Sequence, residues 1–238
     1  MPPVSNAEGA TLFDGFVESY EDACGRGLAL SGESRDYFAR QRVAVTRSLC
    51  GQATVSHIID FGCGLGHTTP YFHESFADAT LIGLDTSAGA IASARSQYGG
   101  PKVSFSSSDA YRDEATANLV YTNGTFHHIE PRDRDAEVSR IFRWLKAGGL
   151  FALWENNPWN PGTRLVMRRI PFDRDAQTLS PPEATRMVRR AGFDIVGVTS
   201  YFYFPSWLKP LRIFERSLRR VPLGAQYCVL ARKPAAHP

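Results

Sequence analysis

Two groups of residues in this sequence have the types and spacing that chemistry needs. The first is Asp60-Phe61-Gly62-Cys63-Gly64-Leu65-Gly66, three alternate glycines with an acid before them. Glycines let a turn adopt positive φ and let a ligand come against bare main chain, which a Cβ would block. The short apolar run Ile58 to Phe61 reads as a buried parallel strand, and Thr68, Thr69 and Tyr71-Phe72 begin a helical pattern after the turn. Strand, glycine turn and helix together place a ligand at a helix N-terminus. The second group is the pair His127-His128, joined after the next strand by Glu155. Imidazole and carboxylate are the side chains that remove a proton near neutral pH, so these three are the candidate catalytic bases.

The elements that must position them follow in order. Residues 79–84 read as a second strand ending at Asp85, which lies 23 positions beyond Gly62. Nucleotide-binding folds place a ribose-binding acid about 20 residues on. A simple N-cap for the helix at 87–98 is the other reading of Asp85. A third strand at 102–107 ends in Ser108-Asp109-Ala110, where Asp109 is either a polar ligand contact or a plain turn residue. A fourth strand, 118–122, runs into the His127-His128 segment. The helix at 133–146, Gly148-Gly149 and a fifth strand at 150–154 follow. Strands alternating with helices at this pace imply a doubly wound α/β sheet, mostly parallel. The last third breaks the alternation. It carries a helix at 180–191 and two strands, 193–204 and 224–232, with helical character at 207–218 between them. Two adjacent final strands suggest an antiparallel edge. Ahead of the core, helices at 16–23 and 33–49 could fold over the cleft, with Tyr20, Tyr37 and Arg42 able to close on it. Packing or surface placement is the preferred reading for each.

The order Asp60/Gly62-Gly64-Gly66, Asp85, Asp109, the stretch 123–131, Gly148-Gly149 and a closing strand pair resembles the class I S-adenosylmethionine-dependent methyltransferases. The match is close over about residues 55–155. The resemblance implies a Rossmann-like sheet of seven strands with the last inserted antiparallel. It also implies S-adenosylmethionine as the cofactor and S-adenosylhomocysteine as the product. On that pattern Gly62, Gly64 and Gly66, with Asp60, approach the methionine part. Asp85, with Thr86 beside it, holds the ribose, and Asp109 and Ala110 flank the adenine. Asn123 and Tyr20 complete the expected cofactor contacts. Cys63 and Leu65 depart from the smaller or polar residues that many relatives carry. Three stretches, 154–161, 170–175 and 221–227, look like features of a bacterial subgroup acting on sugars, surface glycans or secondary metabolites.

A chain of 238 residues with 43% hydrophobic and 21% charged content suits one globular domain. The expected division is a helical cap at 1–54, a cofactor-binding core at 55–155, and acceptor-side insertions with the closing strands at 156–238. No run approaches the ~18 apolar residues of a membrane span, and no signal pattern opens the chain, so a cytoplasmic protein is expected. The four cysteines lack C-x-x-C spacing and a histidine at ligand spacing, and no metal site is expected from the sequence. Net charge is +3 but uneven. Residues 1–160 carry 13 Lys/Arg against 19 Asp/Glu, and residues 161–238 carry 14 against 5. The basic C-terminal third points to an anionic partner or to a solvated arginine face.

Asn156-Asn157-Pro158-Trp159 invites comparison with the Asn/Asp-Pro-Pro-aromatic turn of DNA amino-methyltransferases, which follows the fourth strand. Here the turn follows the fifth and lacks the second proline, so nucleic acid is not the expected partner. The expected reaction is methyl transfer to a small polar acceptor at oxygen, with an anionic sugar, glycan or secondary metabolite as the candidate class. Acceptor contacts are expected from Arg164, Arg168 and Arg169, and from Trp207, Lys209, Arg212, Arg216, Arg219 and Arg220. Two alternatives stand beside it. One is a lipid or quinone methyltransferase that uses the aromatic and basic stretch 201–218 for peripheral membrane contact. The other is a binding module without catalysis.

Overall fold

The computed structural model describes Gly25, residues 27–173 and residues 176–235. The expected helix at 16–23, and Tyr20 within it, lie outside the described residues. Seven strands form one sheet: β1 (His57–Phe61), β2 (Thr80–Asp85), β3 (Val103–Ser107), β4 (Ala117–Asn123), β5 (Leu145–Asn156), β6 (Asp194–Tyr201) and β7 (Gln226–Arg232). Their order is β3-β2-β1-β4-β5-β7-β6. The first five run parallel, and β7 enters antiparallel between β5 and β6. This is the Rossmann-like seven-stranded sheet expected from the sequence. The strand order reverses direction between β1 and β4, which opens a crevice at their carboxyl ends.

Alternation along each central strand divides the core. Ile58, Leu119, Tyr121, Ala152 and Trp154 face one layer, and Ile59, Phe61, Val120, Phe151 and Leu153 face the other. The first layer is covered by α1 (Arg35–Leu49), α2 (Thr69–Ser75) and α3 (Ala88–Tyr98), through Val43, Phe72, Ile91 and Ala94. The second is covered by α4 (Pro131–Trp144) and, beyond α5 (Pro161–Arg169), by α6 (Pro181–Arg190), through Val138, Ile141, Ala184 and Val188. Local signals start these helices. The Ser34 hydroxyl accepts from the Tyr37 amide at 3.0 Å to cap α1, and Ser180 with Glu183 forms a capping box on α6. Trp154 donates its indole N–H to Thr46 Oγ1 at 3.0 Å, which fixes α1 against β5.

Several boundaries differ from the sequence expectation: β5 spans Leu145–Asn156 instead of 150–154 and β7 begins at Gln226 instead of 224, and three further differences have a local cause. The helix placed at 133–146 begins at Pro131, a favoured first helical residue, and ends at Trp144, because Leu145 already pairs with Ala117 in the sheet. The strand placed at 193–204 stops at Tyr201, because Phe202 takes a left-handed φ of 62°. The helix placed at 207–218 is a 3-10 segment, Ser206–Phe214, followed by a single α turn, α7 (Glu215–Leu218). Pro210 inside the first part lacks the N–H that an α-helix needs and crowds the preceding turn. Among the described residues no helix is long and apolar enough to cross a membrane.

Candidate active site

The carboxyl ends of β1, β2 and β4, the start of α1 and the segments after β5 and β6 enclose a cavity of about 790 Å³. The glycine turn forms its floor. Gly62, Gly64 and Gly66 have φ of 74°, 51° and 77°, so all three occupy the region that other residues avoid. Gly62 and Gly64 line the cavity and Gly66 does not. A Cβ on Gly66 would sit 3.0–3.2 Å from Tyr98, Ala94 and Phe105, so this glycine serves helix–sheet packing. A Cβ on Gly62 would fall 2.1 Å from Thr125 Oγ1, so this glycine lets the β4 loop close over the turn.

Asp85 organises the turn. Its two carboxylate oxygens accept from the Gly64 amide at 2.8 Å and the Ser87 amide at 2.9 Å. Each oxygen can accept a further bond, which suits a pair of ribose hydroxyls. Thr86 lines the wall beside it. Asp60, at the end of β1, is 3% exposed, and its Oδ2 is buried without a hydrogen-bond partner. Burial, reinforced by the charge of Asp85 and opposed by Arg42, pushes this carboxyl up to about 7. Arg42 reaches in from α1, buried, with Nε donating to the Tyr121 hydroxyl at 3.3 Å and Nη1 to Gln226 Oε1 at 3.0 Å. Both partners are neutral oxygens, so a guanidinium and a carboxyl line the cavity with charge to offer. Asn123 lines it too, its Oδ1 buried and unpartnered. Ser108 and Asp109 form the wall at the end of β3, with the Asp109 side chain largely exposed and 3.8 Å from Arg140. Ala110 does not reach the cavity. Cys63 does, but burial and the neighbouring Asp60 and Asp85 charges raise its thiol well above the usual range, so it is no nucleophile.

The cavity is also lined by the histidines, on a 3-10 turn (Phe126–His128) after β4. Glu155 is completely buried. Its Oε1 accepts from the Phe126 amide at 2.8 Å and its Oε2 from His127 Nδ1 at 2.6 Å. Asp173 Oδ1 lies 3.6 Å from His127 Nε2 and 3.3 Å from His128 Nε2. Burial opposes a charge on His127, but Glu155 and Asp173 on its two sides outweigh it and push the imidazole up to about 10. Burial likewise opposes charge on Asp173, and its contacts with both histidines hold it below the usual carboxylate range.

Of the three candidate bases, His127 and His128 line the cavity and Glu155 stands behind them. The His128 side chain is 41% exposed against 2% for His127, so His128 is the more accessible of the two. Asp173, 46 positions beyond His127, was not a sequence candidate; only its place in the distinctive 170–175 stretch marked it. Histidine and aspartate ligand atoms of His127, His128 and Asp173 lie within 4.8 Å of one another, close enough to share a metal ion.

The remaining walls are aromatic and apolar: Phe38, Phe202 and Phe204 on one side, Val166, Met167 and Ile170 on the other. Of the arginines and lysine expected at the acceptor, only Arg212 lines the cavity. It is already engaged, with Nη1 donating to Glu33 Oε1 at 2.8 Å and to the Tyr37 hydroxyl at 2.9 Å. Arg42, read from sequence as packing or surface, is the better-placed cation. Its signal was a charged residue one turn from Phe38 on the apolar stripe of α1.

A family model described as a methyltransferase domain matches residues 58–149, the span that builds the glycine turn, Asp85 and the histidines. The match supports the class I S-adenosylmethionine-dependent methyltransferase pattern over this stretch of the chain. Among curated relatives it is similar to a trans-aconitate 2-methyltransferase of Delftia acidovorans, 28% identical over 141 residues, covering 56% of this chain and 51% of that one. The chain spans about half the length of the curated relatives it matches. An S-adenosylmethionine-dependent methyltransferase structure from Archaeoglobus fulgidus aligns with a TM-score of 0.65 at 15% identity, over 84% of this chain and 95% of that one. The cyclase SpnF aligns with a TM-score of 0.72 at 16% identity, over 99% of both chains. One fold thus carries different reactions, and the reaction of a superfamily member has to be argued from its own site.

The superfamily's cofactor, S-adenosylmethionine, fits the residues present. The orphaned Asp60 Oδ2 meets the need of an ammonium, the Arg42 guanidinium that of a carboxylate, and Asp85 that of the ribose hydroxyls.

Proposed function

We propose that this protein transfers a methyl group from S-adenosylmethionine to a small polar acceptor that carries negative charge, at an oxygen atom. The observation that carries this reading is that one cavity is lined by two chemically different groups of residues. Asp60, Arg42, Asp85 and the glycine turn form the first, and His128 with Asp173 forms the second. A cavity of about 790 Å³ falls in the range of roughly 300–1,000 Å³ that small-molecule sites occupy.

The bound cofactor would supply an electrophilic methyl group on a sulfonium. This chain's residues supply position and proton uptake. Asp85 and the Gly62–Gly64 backbone hold the nucleoside half, and Asp60 and Arg42 hold the amino-acid half, so the methyl group is aimed along the cavity. Alignment of this kind contributes up to roughly 7–11 kcal/mol in the best intramolecular cases. His128, backed by Asp173, takes the acceptor's proton, a role typically worth ~10²–10⁴-fold. The apolar walls exclude water around the reacting atoms. Relatives named for trans-aconitate support a small anionic acceptor.

A second reading, a lipid acceptor met at a membrane surface, is favoured by one patch. Trp207, Ile213 and Phe214 are 72%, 77% and 54% exposed beside Lys209, Arg216 and Arg219. Both readings meet in one experiment. Purified protein is incubated with methyl-labelled S-adenosylmethionine and an extract of its own cells, which is then separated into lipid, anionic small-molecule and macromolecular pools. Label in anionic small molecules supports the first reading. Label in lipid replaces it with the second, and label confined to macromolecules overturns both.

A further inference from the structure

We propose that His127, His128 and Asp173 form a binding site for one divalent transition-metal ion, with its open coordination positions facing the cavity. The proposal rests on the reading above, that His128 and Asp173 receive the acceptor, and changes how the acceptor's proton is lost.

The three donor atoms converge at spacings that suit the ligands of one ion, which would take the place of the Asp173–histidine contacts as His127 gives up its Nε2 proton. Asp173 Oδ1 stands 3.3 Å from His128 Nε2 and 3.6 Å from His127 Nε2. These separations are long for hydrogen bonds. They match the edge of a tetrahedron with metal–ligand bonds of ~2.0–2.2 Å, which is roughly 3.4 Å. All three donors lie within 4.8 Å of one another. His127 Nε2 is buried, on a side chain 2% exposed, and has no hydrogen-bond partner.

The surroundings are those of a built site. Glu155 Oε2 accepts from His127 Nδ1 at 2.6 Å, which fixes the ring and directs its other nitrogen at the cluster. Glu155 is itself held by the Phe126 amide at 2.8 Å. A carboxylate behind a ligating histidine is the usual outer support of a metal centre. Two imidazoles and one carboxylate on one side of an ion leave its other positions open, an arrangement suited to iron, zinc and related divalent ions.

With the ion in place, His128 is a ligand, and an acceptor hydroxyl bound at an open position is acidified by the ion's charge. The proton would then leave to solvent, and the oxygen would attack the cofactor's methyl carbon as the sulfur–methyl bond breaks and its electron pair returns to sulfur, giving the methyl ether or ester and S-adenosylhomocysteine. Proton uptake by His128 describes the ion-free protein. No redox change is involved.

The test uses the full chain, stripped by a chelator and titrated with Zn²⁺ by calorimetry and with Co²⁺ by visible absorption. One ion per chain is expected. Affinity should fall at least tenfold in both His128→Gln and Asp173→Asn, and remain unchanged in His73→Gln, whose ring sits on the exposed face of α2. Glu155→Gln should weaken binding about 10–100-fold, the usual effect of removing an outer-shell partner. No binding, or binding that survives both His128→Gln and Asp173→Asn, overturns the site. Methyl transfer is measured on the same samples. Transfer at equal rates with and without the ion refutes the ion's part in the reaction and leaves the proposed function standing. Ion binding without transfer to any pool supports the site and counts against the function.

Discussion

Glu155 Oε2 lies 2.6 Å from His127 Nδ1, and both side chains are buried, on segments 28 residues apart. The pair ties the loop after β4 to the end of β5 and fixes the cavity wall beside His128.

That contact makes stability depend on pH. With Glu155 and Asp173 holding His127 up to about 10 against an ordinary 6.5, the folded chain keeps a proton that the unfolded chain loses. The stabilisation is complete below about pH 6.5 and disappears as pH rises through about 10. Thermal unfolding of the metal-free protein from pH 7 to 10 should show a falling Tm. Glu155→Gln should destabilise by about 3–5 kcal/mol, as breaking a buried pair does, and should flatten that slope. An unchanged slope would show that the pair does not set it.

Asp60 works in the opposite sense. Its carboxyl is raised from 3.8 to about 7, so folding is opposed by its ionisation as pH rises from about 4 to 7. An ammonium beside it would favour the ionised form. Cofactor binding should therefore tighten as pH rises from 6 to 8 and release a proton near pH 6. Calorimetry in buffers of different ionisation heat measures both. Asp60→Asn should raise Tm at pH 8 while weakening cofactor binding and removing its pH dependence.

Arg42 is assigned the cofactor's carboxylate. A hydrogen bond to a charged group contributes about 1.5–3 kcal/mol, so Arg42→Gln should weaken S-adenosylhomocysteine binding roughly 10–100-fold. Adenosine, which lacks the amino-acid end, should bind the variant as it binds the parent. Equal losses for both ligands would assign Arg42 to packing instead.

Gly62 and Gly148 both take positive φ, 74° and 76°. A Cβ at Gly148 meets nothing within 4 Å, whereas at Gly62 it collides with Thr125. Gly148→Ala should cost only the backbone strain, about 1–2 kcal/mol. Gly62→Ala should cost more and also abolish cofactor binding. Tm and ligand titration of the two variants separate these effects.

The legible parts of this site were the ones written in consecutive residues. Asp60-Gly62-Gly64 and Asp85 declare a strand, a turn and a strand end, and a strand–turn–helix unit fixes where such residues go. The closing strands were also readable, because two apolar runs end the chain after the strand–helix alternation has stopped, and the family pattern closes its sheet with an antiparallel strand. Contacts made across the fold were not. Nothing local says that Asp173 meets His127 and His128, or that Glu155 turns its back on the cavity to hold a ring. The arginines of the last third drew attention by number, yet only Arg212 among those expected at the acceptor lines the cavity, and it is paired with Glu33. Arg42 was discounted because a lone cation on an apolar helix face carries no motif. Pro210 was in plain view, and its effect on the helix at 207–218 should have been read.

The most direct test of the account is a paired measurement on His128→Ala: S-adenosylhomocysteine affinity and the rate of label transfer to the anionic small-molecule pool. The proposed function assigns His128 to the acceptor and not to the cofactor, so affinity should stay within about twofold while transfer falls ~10²–10⁴-fold, the usual contribution of a positioned proton acceptor. Transfer at the parent rate, or loss of cofactor binding in step with activity, would contradict the division of this cavity into cofactor-binding and reacting residues.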